Sequence, residues 1–142
     1  MDEIDLMESI AASRRRQASR SVRPFEITLM QYHLILLARR RGPLSPSQAA
    51  RELECDRPGM TLLARKCVRS GWLSRRRSSA DRRSSRLELT GEGEELLDKI
   101  EAAQAVSPAS LGDPLAVLDP AERGVFREML SRVHARAMEL RD

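Results

Sequence analysis

The chain has 142 residues, which is enough for one ordinary domain that buries its own hydrophobic core. Its two cysteines and two histidines lack the spacing of metal ligands, so neither a zinc module nor a disulfide scaffold is predicted. The scarcity of aromatic residues argues against the stacking platforms that hold single strands or RNA loops. No stretch approaches the roughly eighteen apolar residues of a membrane span, and the acidic start does not resemble a signal peptide. We therefore expect a cytoplasmic protein that does not contact a membrane.

The basic residues are concentrated between Arg57 and Arg86, where ten arginines and lysines accompany a single acid, Asp81. This segment has a charge of +9, whereas the whole chain has a net charge of +4, so the remainder is acidic. A local positive surface of this kind predicts a polyanionic partner. A helix followed directly by a basic ribbon favours double-stranded DNA over other polyanions.

The first two predicted helices differ in how strongly the sequence marks them. The first runs from Ile4 to about Ala18 and has only a thin apolar stripe, so it should need a partner surface to be stable. The second extends from Thr28 to Arg41 and starts with a capping box, in which Thr28 and Gln31 each accept a hydrogen bond from the other's backbone N–H. Its predicted inward face consists of Leu29, Tyr32, Leu36 and Leu37.

Two short helices joined by a tight link follow, and they form a predicted helix-turn-helix. Ser45 caps the first of them, which runs to about Glu54. Asp56 caps the second, which ends at Ser70 and Gly71. The residues expected to face inward are Ala49, Ala50 and Leu53 in the first helix and Met60, Leu63, Ala64, Cys67 and Val68 in the second.

A two-stranded ribbon and two further helices complete the predicted fold. The ribbon consists of Trp72 to Arg77 and Arg83 to Leu89, separated by a polar turn. Thr90 caps a fifth helix, residues 107–118 form a connection, and Asp119 caps a last helix. The predicted fold class is therefore mainly α with a small antiparallel β-ribbon, arranged as a winged helix-turn-helix with helices at both ends.

The exposed face of the fourth helix is the predicted DNA-reading surface. Thr61 and Arg65 stand one above the other on this face, where their side chains could reach base edges in a major groove. The other candidate contacts on this helix are Arg57, Leu62, Lys66 and Arg69. The three charged residues among them are suited to phosphates. The alternative is a solvated face whose arginines maintain solubility.

Several local strings resemble the MarR family of bacterial transcription regulators. Residues 29–32, 44–53 and 57–73 resemble, in turn, the family's entry to its second helix, its first helix-turn-helix segment, and its recognition helix with the exit into the wing. The most specific match is Asp81-Arg82-Arg83 followed by Leu87-Glu88-Leu89-Thr90-Gly91-Glu92-Gly93, which resembles the wing signature and the start of the long helix. The resemblance is close from about Leu29 to Leu97.

The resemblance implies a homodimer whose terminal helices interlock and carry two winged helices to an inverted repeat. Residues 1–27 and 107–142 would then be dimerisation helices, residues 28–90 the winged helix-turn-helix, and residues 91–106 the long connecting helix. It also implies a pocket for a small-molecule effector beside the second helix, which Tyr32 and His33 could line. The alternative for this pair is a core tyrosine and a surface histidine.

The wing supplies the remaining site residues. The resemblance implies that Arg83 enters the minor groove, and Arg77 and Arg82 are further candidate DNA contacts. Asp81 is expected to orient a wing arginine through a charge-assisted hydrogen bond. The alternative for Asp81 is a plain turn residue.

The predicted function is sequence-specific DNA binding by a ligand-responsive transcription regulator, most simply a repressor. No enzyme activity, metal or cofactor is predicted, because the sequence has no nucleotide-cradling loop and no cluster of catalytic residue types. Two alternatives remain open: a non-specific architectural DNA-binding protein and a winged-helix module that binds a protein partner. Thiol-based sensing occurs in part of the family, but its peroxide-sensing members carry their cysteine in the first helix, where this chain has none. Cys55 and Cys67 are expected to be small buried residues.

Overall fold

A computed structural model of the protein describes residues 1–77, 85–106 and 112–141. The structure divides into two compact units, Met1–Leu111 and Gly112–Asp142. The first unit contains α1 (Glu3–Val22), α2 (Leu29–Arg41), α3 (Pro46–Glu52), α4 (Arg57–Arg69), β1 (Leu73–Arg77), β2 (Ser85–Leu89) and α5 (Gly91–Val106), and the second contains α6 (Pro120–Glu139). Short 3-10 helices span Arg23–Phe25 and Pro114–Val117. The predicted fold class is confirmed.

Reciprocal caps start the helices where the sequence predicts them. The hydroxyl of Thr28 accepts a hydrogen bond from the Gln31 N–H at 3.2 Å, and the Gln31 side chain accepts one from the Thr28 N–H at 2.9 Å. Boxes of the same kind begin α3 at Ser45 and α6 at Asp119. The first helix is longer than predicted and reaches Val22, because no helix-breaking residue occurs before Pro24.

The core of the first unit surrounds α2. The inward face predicted for this helix is incomplete, since Tyr32, Leu36 and Leu37 pack against the core but the fully buried positions are Leu34, Ile35 and Ala38. The predicted residues are only partly buried, because α1, α4, α5 and β2 pack against several sides of α2 and the core is not confined to one face. The buried face of α4 agrees with its pattern: Met60, Ala64 and Cys67 are buried, and Leu63 and Val68 pack against the core.

The two strands form an antiparallel ribbon in which Leu73 pairs with Leu89 and Arg77 with Ser85. One further bridge extends it, because the backbones of Leu44 and Leu87 exchange hydrogen bonds of 3.1 and 2.8 Å. Leu44 lies in the link between α2 and α3, which the sequence did not mark as extended. The bridge attaches the base of the ribbon to the helix-turn-helix.

The start of α5 is joined closely to the end of α4. The Thr90 hydroxyl donates a hydrogen bond to the Gly71 carbonyl at 2.5 Å and accepts one from the Gly93 N–H at 3.0 Å. The Thr90 N–H donates to the Trp72 carbonyl at 3.1 Å. Gly71 has a φ of +84°, a conformation that favours glycine.

Arg39 of α2 provides a second attachment for α5. Its guanidinium contacts Glu101 and lies 3.2 Å from Asp98 and 3.6 Å from Glu94. These acids follow one another along one face of α5, so a single arginine on α2 holds about two turns of the neighbouring helix. The Arg39 side chain is 22% exposed but the three carboxylates are 51–66% exposed, so solvent screens all three pairs.

Large apolar side chains remain exposed on α1 and, separately, on α6. Ile4 and Ile10 of α1 are 59% and 50% exposed, and Val125 and Met129 of α6 are 53% and 56% exposed. Within α6 and the segment before it, Asp113 and Arg123 form an ion pair of 3.0 Å. In the part of the chain that the structure describes, no helix is both long and apolar enough to cross a membrane.

Candidate nucleic-acid interface

The outward face of α4 is covered with cationic and small polar side chains. All six of the residues predicted for this surface are exposed, namely Arg57, Thr61, Leu62, Arg65, Lys66 and Arg69. Their helical spacing follows from the burial of Met60, Ala64 and Cys67 on the opposite face, which leaves the charged positions in solvent. Helix α4 therefore presents one continuous basic surface.

Two side chains on this face have the chemistry to read base edges. At about 100° per residue, Arg65 lies near the centre of the exposed face, where its planar guanidinium could donate two hydrogen bonds to one guanine. Leu62, 51% exposed, offers an apolar contact of the kind that suits a thymine methyl group. The Thr61 hydroxyl donates to the Arg57 carbonyl at 2.9 Å, so its donor is used within its own helix.

Local interactions fix the position of α4. The Asp56 carboxylate accepts a hydrogen bond from the Gly59 N–H at 2.6 Å and caps the helix start. Helix α3 packs beside α4 through its buried alanines, Ala49 and Ala50, whose small side chains permit close approach. The two helices and the link between them form the predicted helix-turn-helix.

The wing strands carry exposed arginines whose direction follows from their register. Arg75 is opposite the buried Leu87, whereas Arg76 is opposite Arg86 on the other face of the ribbon. Arg76 also lies 3.6 Å from Glu88. Because successive side chains of a strand point to opposite faces, Arg75, Arg76 and Arg77 do not all face one surface. The tip residues Asp81, Arg82 and Arg83 lie outside the described residues, so their predicted roles stay predictions.

A polar groove of about 220 Å³ lies at the base of the wing, and the sequence reasoning missed it. Arg41 and Glu52 form an ion pair of 2.9 Å across it, and Arg86 donates to the Pro43 carbonyl at 3.4 Å. No local pattern marks these residues, because Arg41 and Arg86 are far apart in sequence and meet only through the Leu44–Leu87 bridge.

The basic residues divide into two electrostatic groups. Arg39, Arg41 and Arg76 are neutralised by nearby carboxylates. By contrast, within residues 1–77, 85–106 and 112–141, no carboxylate pairs with the cationic side chains of α4, which are Arg57, Arg65, Lys66 and Arg69. Like charges close together on one helix repel, so this surface is best stabilised by an anionic partner.

The candidate pocket residues Tyr32 and His33 are both half-buried on α2. Their ring centroids are 6.0 Å apart with the ring planes tilted by 41°. Tyr32 packs against the core, as its alternative interpretation predicts, whereas His33 is less exposed than a surface histidine. Burial lowers the pKa of His33 from its ordinary value, which favours the neutral imidazole.

The two cysteines differ in accessibility. Cys67 is buried, as predicted, and burial raises the pKa of its thiol to about 12. Cys55 is only partly buried, so the expectation that both are buried holds for Cys67 alone. Because the pKa of the Cys67 thiol is so high, this residue has almost no thiolate at neutral pH and is a poor nucleophile.

We expect Cys67 to resist modification in the folded protein. In a Cys55→Ser variant, a thiol reagent at pH 7 should label less than about a tenth of the protein until denaturant is added, and then close to one thiol per chain. The matched Cys67→Ser variant, in which only Cys55 remains, should label faster. Rapid labelling of the Cys55→Ser variant without denaturant would contradict the inert-thiol interpretation.

Helices α3 and α4, the ribbon after them and the bridge at Leu44 define a winged helix, a class of fold with an exposed helix and a β-ribbon beside it. The structure of MarR from E. coli in its apo form is similar, with a TM-score of 0.74 and 19% identity over 94% of this chain and 96% of that one. The S. aureus MepR–DNA complex has a TM-score of 0.80 and 20% identity over 96% and 98% of the two chains. A MarR variant from E. coli complexed with operator DNA has a TM-score of 0.78 and 19% identity, with 91% of each chain covered.

Sequence comparison agrees with the fold. The MarR family model matches residues 27–85. The HTH-type transcriptional regulator PecS of Dickeya dadantii (strain 3937) is 26% identical over 112 residues, which cover 77% of this chain and 66% of that protein. The chain thus spans just under two thirds of that relative's length. Residues 27–85 of this chain therefore match the MarR family, and the fold resembles that of MarR structures over nearly the whole chain.

Proposed function

We propose that the protein is a sequence-specific transcription regulator that binds double-stranded DNA as a homodimer. The observation that carries this proposal is the exposed basic face of α4, which has no carboxylate partner in the part of the chain that the structure describes. Arg65 reads a base edge in the major groove, while Arg57, Lys66 and Arg69 hold phosphates that set the position of the helix. Arg77, Arg82 and Arg83 of the wing contact the adjacent minor groove, with Asp81 orienting one of them.

Dimerisation accounts for the exposed apolar side chains of α1 and α6. Contiguous apolar surface on a soluble protein is best explained by a contact that removes it from water. Residues 1–27 and 107–142 form the dimerisation helices, residues 28–90 form the winged helix-turn-helix, and residues 91–106 connect them. A two-fold dimer reads an inverted repeat whose half-sites are about one helical turn apart.

The protein acts as a repressor whose DNA affinity falls when a small molecule binds beside Tyr32 and His33. The half-buried aromatic rings of this pair support the proposal, because a pocket needs apolar walls with a few polar groups. A ligand screen would use release of the protein from its operator as the readout. Loss of release in a Tyr32→Ala variant that still binds DNA would locate the ligand.

The decisive experiment is a titration of the protein against the intergenic DNA beside its own gene, with a scrambled duplex as competitor. A specific regulator should prefer its operator by about a thousandfold or more. Equal affinity for both duplexes would favour a non-specific architectural DNA-binding protein. Absence of binding to either duplex at moderate salt would favour a winged-helix module with a protein partner.

Lys66 provides a test of the phosphate contacts. Replacing it with glutamine should reduce the slope of log K against log[salt] by about 0.9 per protomer and leave the operator preference unchanged. The chain contains only one other lysine, Lys99 on α5, and Lys99→Gln is therefore the matched control that should keep the wild-type slope. Equal slopes for the two variants would show that Lys66 makes no phosphate contact.

A further inference from the structure

The second half of α1 has an excess of positive charge that the candidate DNA-reading surface does not include. Between Ser9 and Phe25 there are five arginines and no acid. All five are exposed, namely Arg14, Arg15, Arg16, Arg20 and Arg23. The acids of this helix are confined to its first turns, from Asp2 to Glu8. The helix is thus acidic at one end and basic at the other.

Three of these arginines form a stripe along one side of the helix. Arg16, Arg20 and Arg23 are spaced four and three residues apart, so at about 100° per residue they fall within about 60° of one another. Arg23 keeps the helical geometry, with φ −54° and ψ −41° at the helix cap. We call these three residues the α1 arginine stripe.

The stripe points away from the rest of the protein. Val22, which is 1% exposed, lies about 160° around the helix from Arg20, about 120° from Arg16 and about 100° from Arg23. The exposed apolar residues Ile4 and Met7 lie on the same side as Val22. Burial of that apolar side by a second copy would therefore leave the α1 arginine stripe in solvent.

The stripe is also electrostatically unsatisfied. Within residues 1–77, 85–106 and 112–141, no ion pair joins Arg16, Arg20 or Arg23 to a carboxylate. Like charges at these helical spacings destabilise the helix that carries them. An external anion with several regularly spaced charges would offset this repulsion between the arginines.

We propose that the α1 arginine stripe binds phosphates of the DNA duplex and extends the contact beyond α4 and the wing. This inference rests on the proposed function. Arg16 and Arg23 are seven positions apart, about 10 Å along the helix, which equals the rise of about three phosphates of one strand along the duplex axis at 3.4 Å each. It belongs to the same compact unit as α4, because α1 packs on α2 and α2 packs on α4.

An anionic membrane is a weaker partner for this surface. A helix lying on a membrane inserts its apolar side, but the apolar side of this half of α1 is occupied by the protein's own core at Val22. The three arginines also lack exposed bulky apolar neighbours to anchor such a helix, since the residues between them other than the buried Val22 are small or polar. Duplex DNA needs no insertion and is recognised by charge alone.

The test compares two variants of α1 that lose the same charge from different sides. Arg16→Gln/Arg20→Gln removes two of the three stripe arginines, whereas Arg14→Gln/Arg15→Gln removes two arginines from the side of the helix that carries Val22. Glutamine and arginine have similar helix propensities, so circular dichroism and light scattering should show unchanged folding and assembly in both. Salt titrations use the operator duplex and, independently, a scrambled duplex.

The stripe variant should lower the slope of log K against log[salt] by about 0.9 for each lost phosphate contact, or about 1.8 per protomer, on both duplexes. The control pair should keep the wild-type slope. Equal slopes in the two variants, whether lowered or not, would overturn the inference, because a general charge effect does not depend on the side of the helix. Loss of binding to phosphatidylserine vesicles together with an unchanged DNA slope would assign the stripe to a membrane and overturn it too.

The outcome is separable from the proposed function. If the wild-type protein prefers its operator but the stripe variant keeps the full salt slope, only the stripe proposal fails. If the wild-type protein shows no operator preference while the stripe variant has a reduced slope on the scrambled duplex, the stripe contact stands and sequence-specific regulation fails.

Discussion

Replacing Arg65 with alanine should lower operator affinity by about 1–3 kcal/mol for each protomer, with a much smaller loss on a scrambled duplex. Arg65 is exposed near the centre of the outward face of α4 and has no carboxylate partner in the described chain. Its guanidinium is therefore available to donate two hydrogen bonds to a guanine. The ratio of operator to scrambled affinity is the quantity to measure, because a lost phosphate contact would weaken both duplexes equally.

An Arg65→Lys variant separates charge from geometry. Lysine keeps the positive charge but lacks the planar fork of two donors, so the operator preference should fall while the salt slope stays near the wild-type value. Arg132→Ala on α6 removes one exposed arginine outside the helix-turn-helix and should leave the preference unchanged. An Arg65→Ala protein with full operator preference would exclude Arg65 as a base-reading residue.

Replacing Gly93 with alanine should destabilise the fold by about 1–3 kcal/mol and lower Tm by about 3–10 °C. A methyl group at this position would overlap the backbone carbonyl oxygen of Trp72 and lie 2.6 Å from Cδ1 of Leu89. The Trp72 carbonyl cannot move away freely, because it accepts the hydrogen bond from the Thr90 N–H that joins α5 to the end of α4. Thermal unfolding followed by circular dichroism measures the loss.

Gly91→Ala is the matched control on the same helix. A methyl group there meets nothing within 4 Å, so it should leave stability unchanged or raise it slightly through the better helix propensity of alanine. If Gly93→Ala were as stable as Gly91→Ala, the close contact between α5 and Trp72 would not exist in solution. DNA binding by Gly93→Ala below its Tm would show that the contact between Gly93 and Trp72 supports stability and is not needed for the DNA-reading face of α4.

Much of the candidate site could be predicted from the sequence, because its determinants are local. The burial of Cys67 and the exposure of Arg65 both follow from the helical spacing of the apolar residues along α4. The wing strands were placed within one or two residues of their observed ends. Their arginines alternate between faces because successive side chains in a strand point in opposite directions.

The second helix shows where the same reasoning fails. Its apolar positions are so numerous that no single period identifies the inward face, and the fully buried residues, Leu34, Ile35 and Ala38, were not among those predicted. Burial there depends on how many neighbours surround the helix. A one-sided pattern cannot predict packing on several sides.

By itself the sequence determined the local elements: the capped helix starts, the buried period of α4, and the concentration of positive charge between Arg57 and Arg86. These features depend on residues that are close together in the sequence, so they do not require contacts between distant elements. Only the tertiary structure decided the bridge between Leu44 and Leu87, the contact of Arg39 with three acids of α5, and the close approach of Gly93 to Trp72. Each of these joins groups from different elements, so it exists only after those elements have packed together.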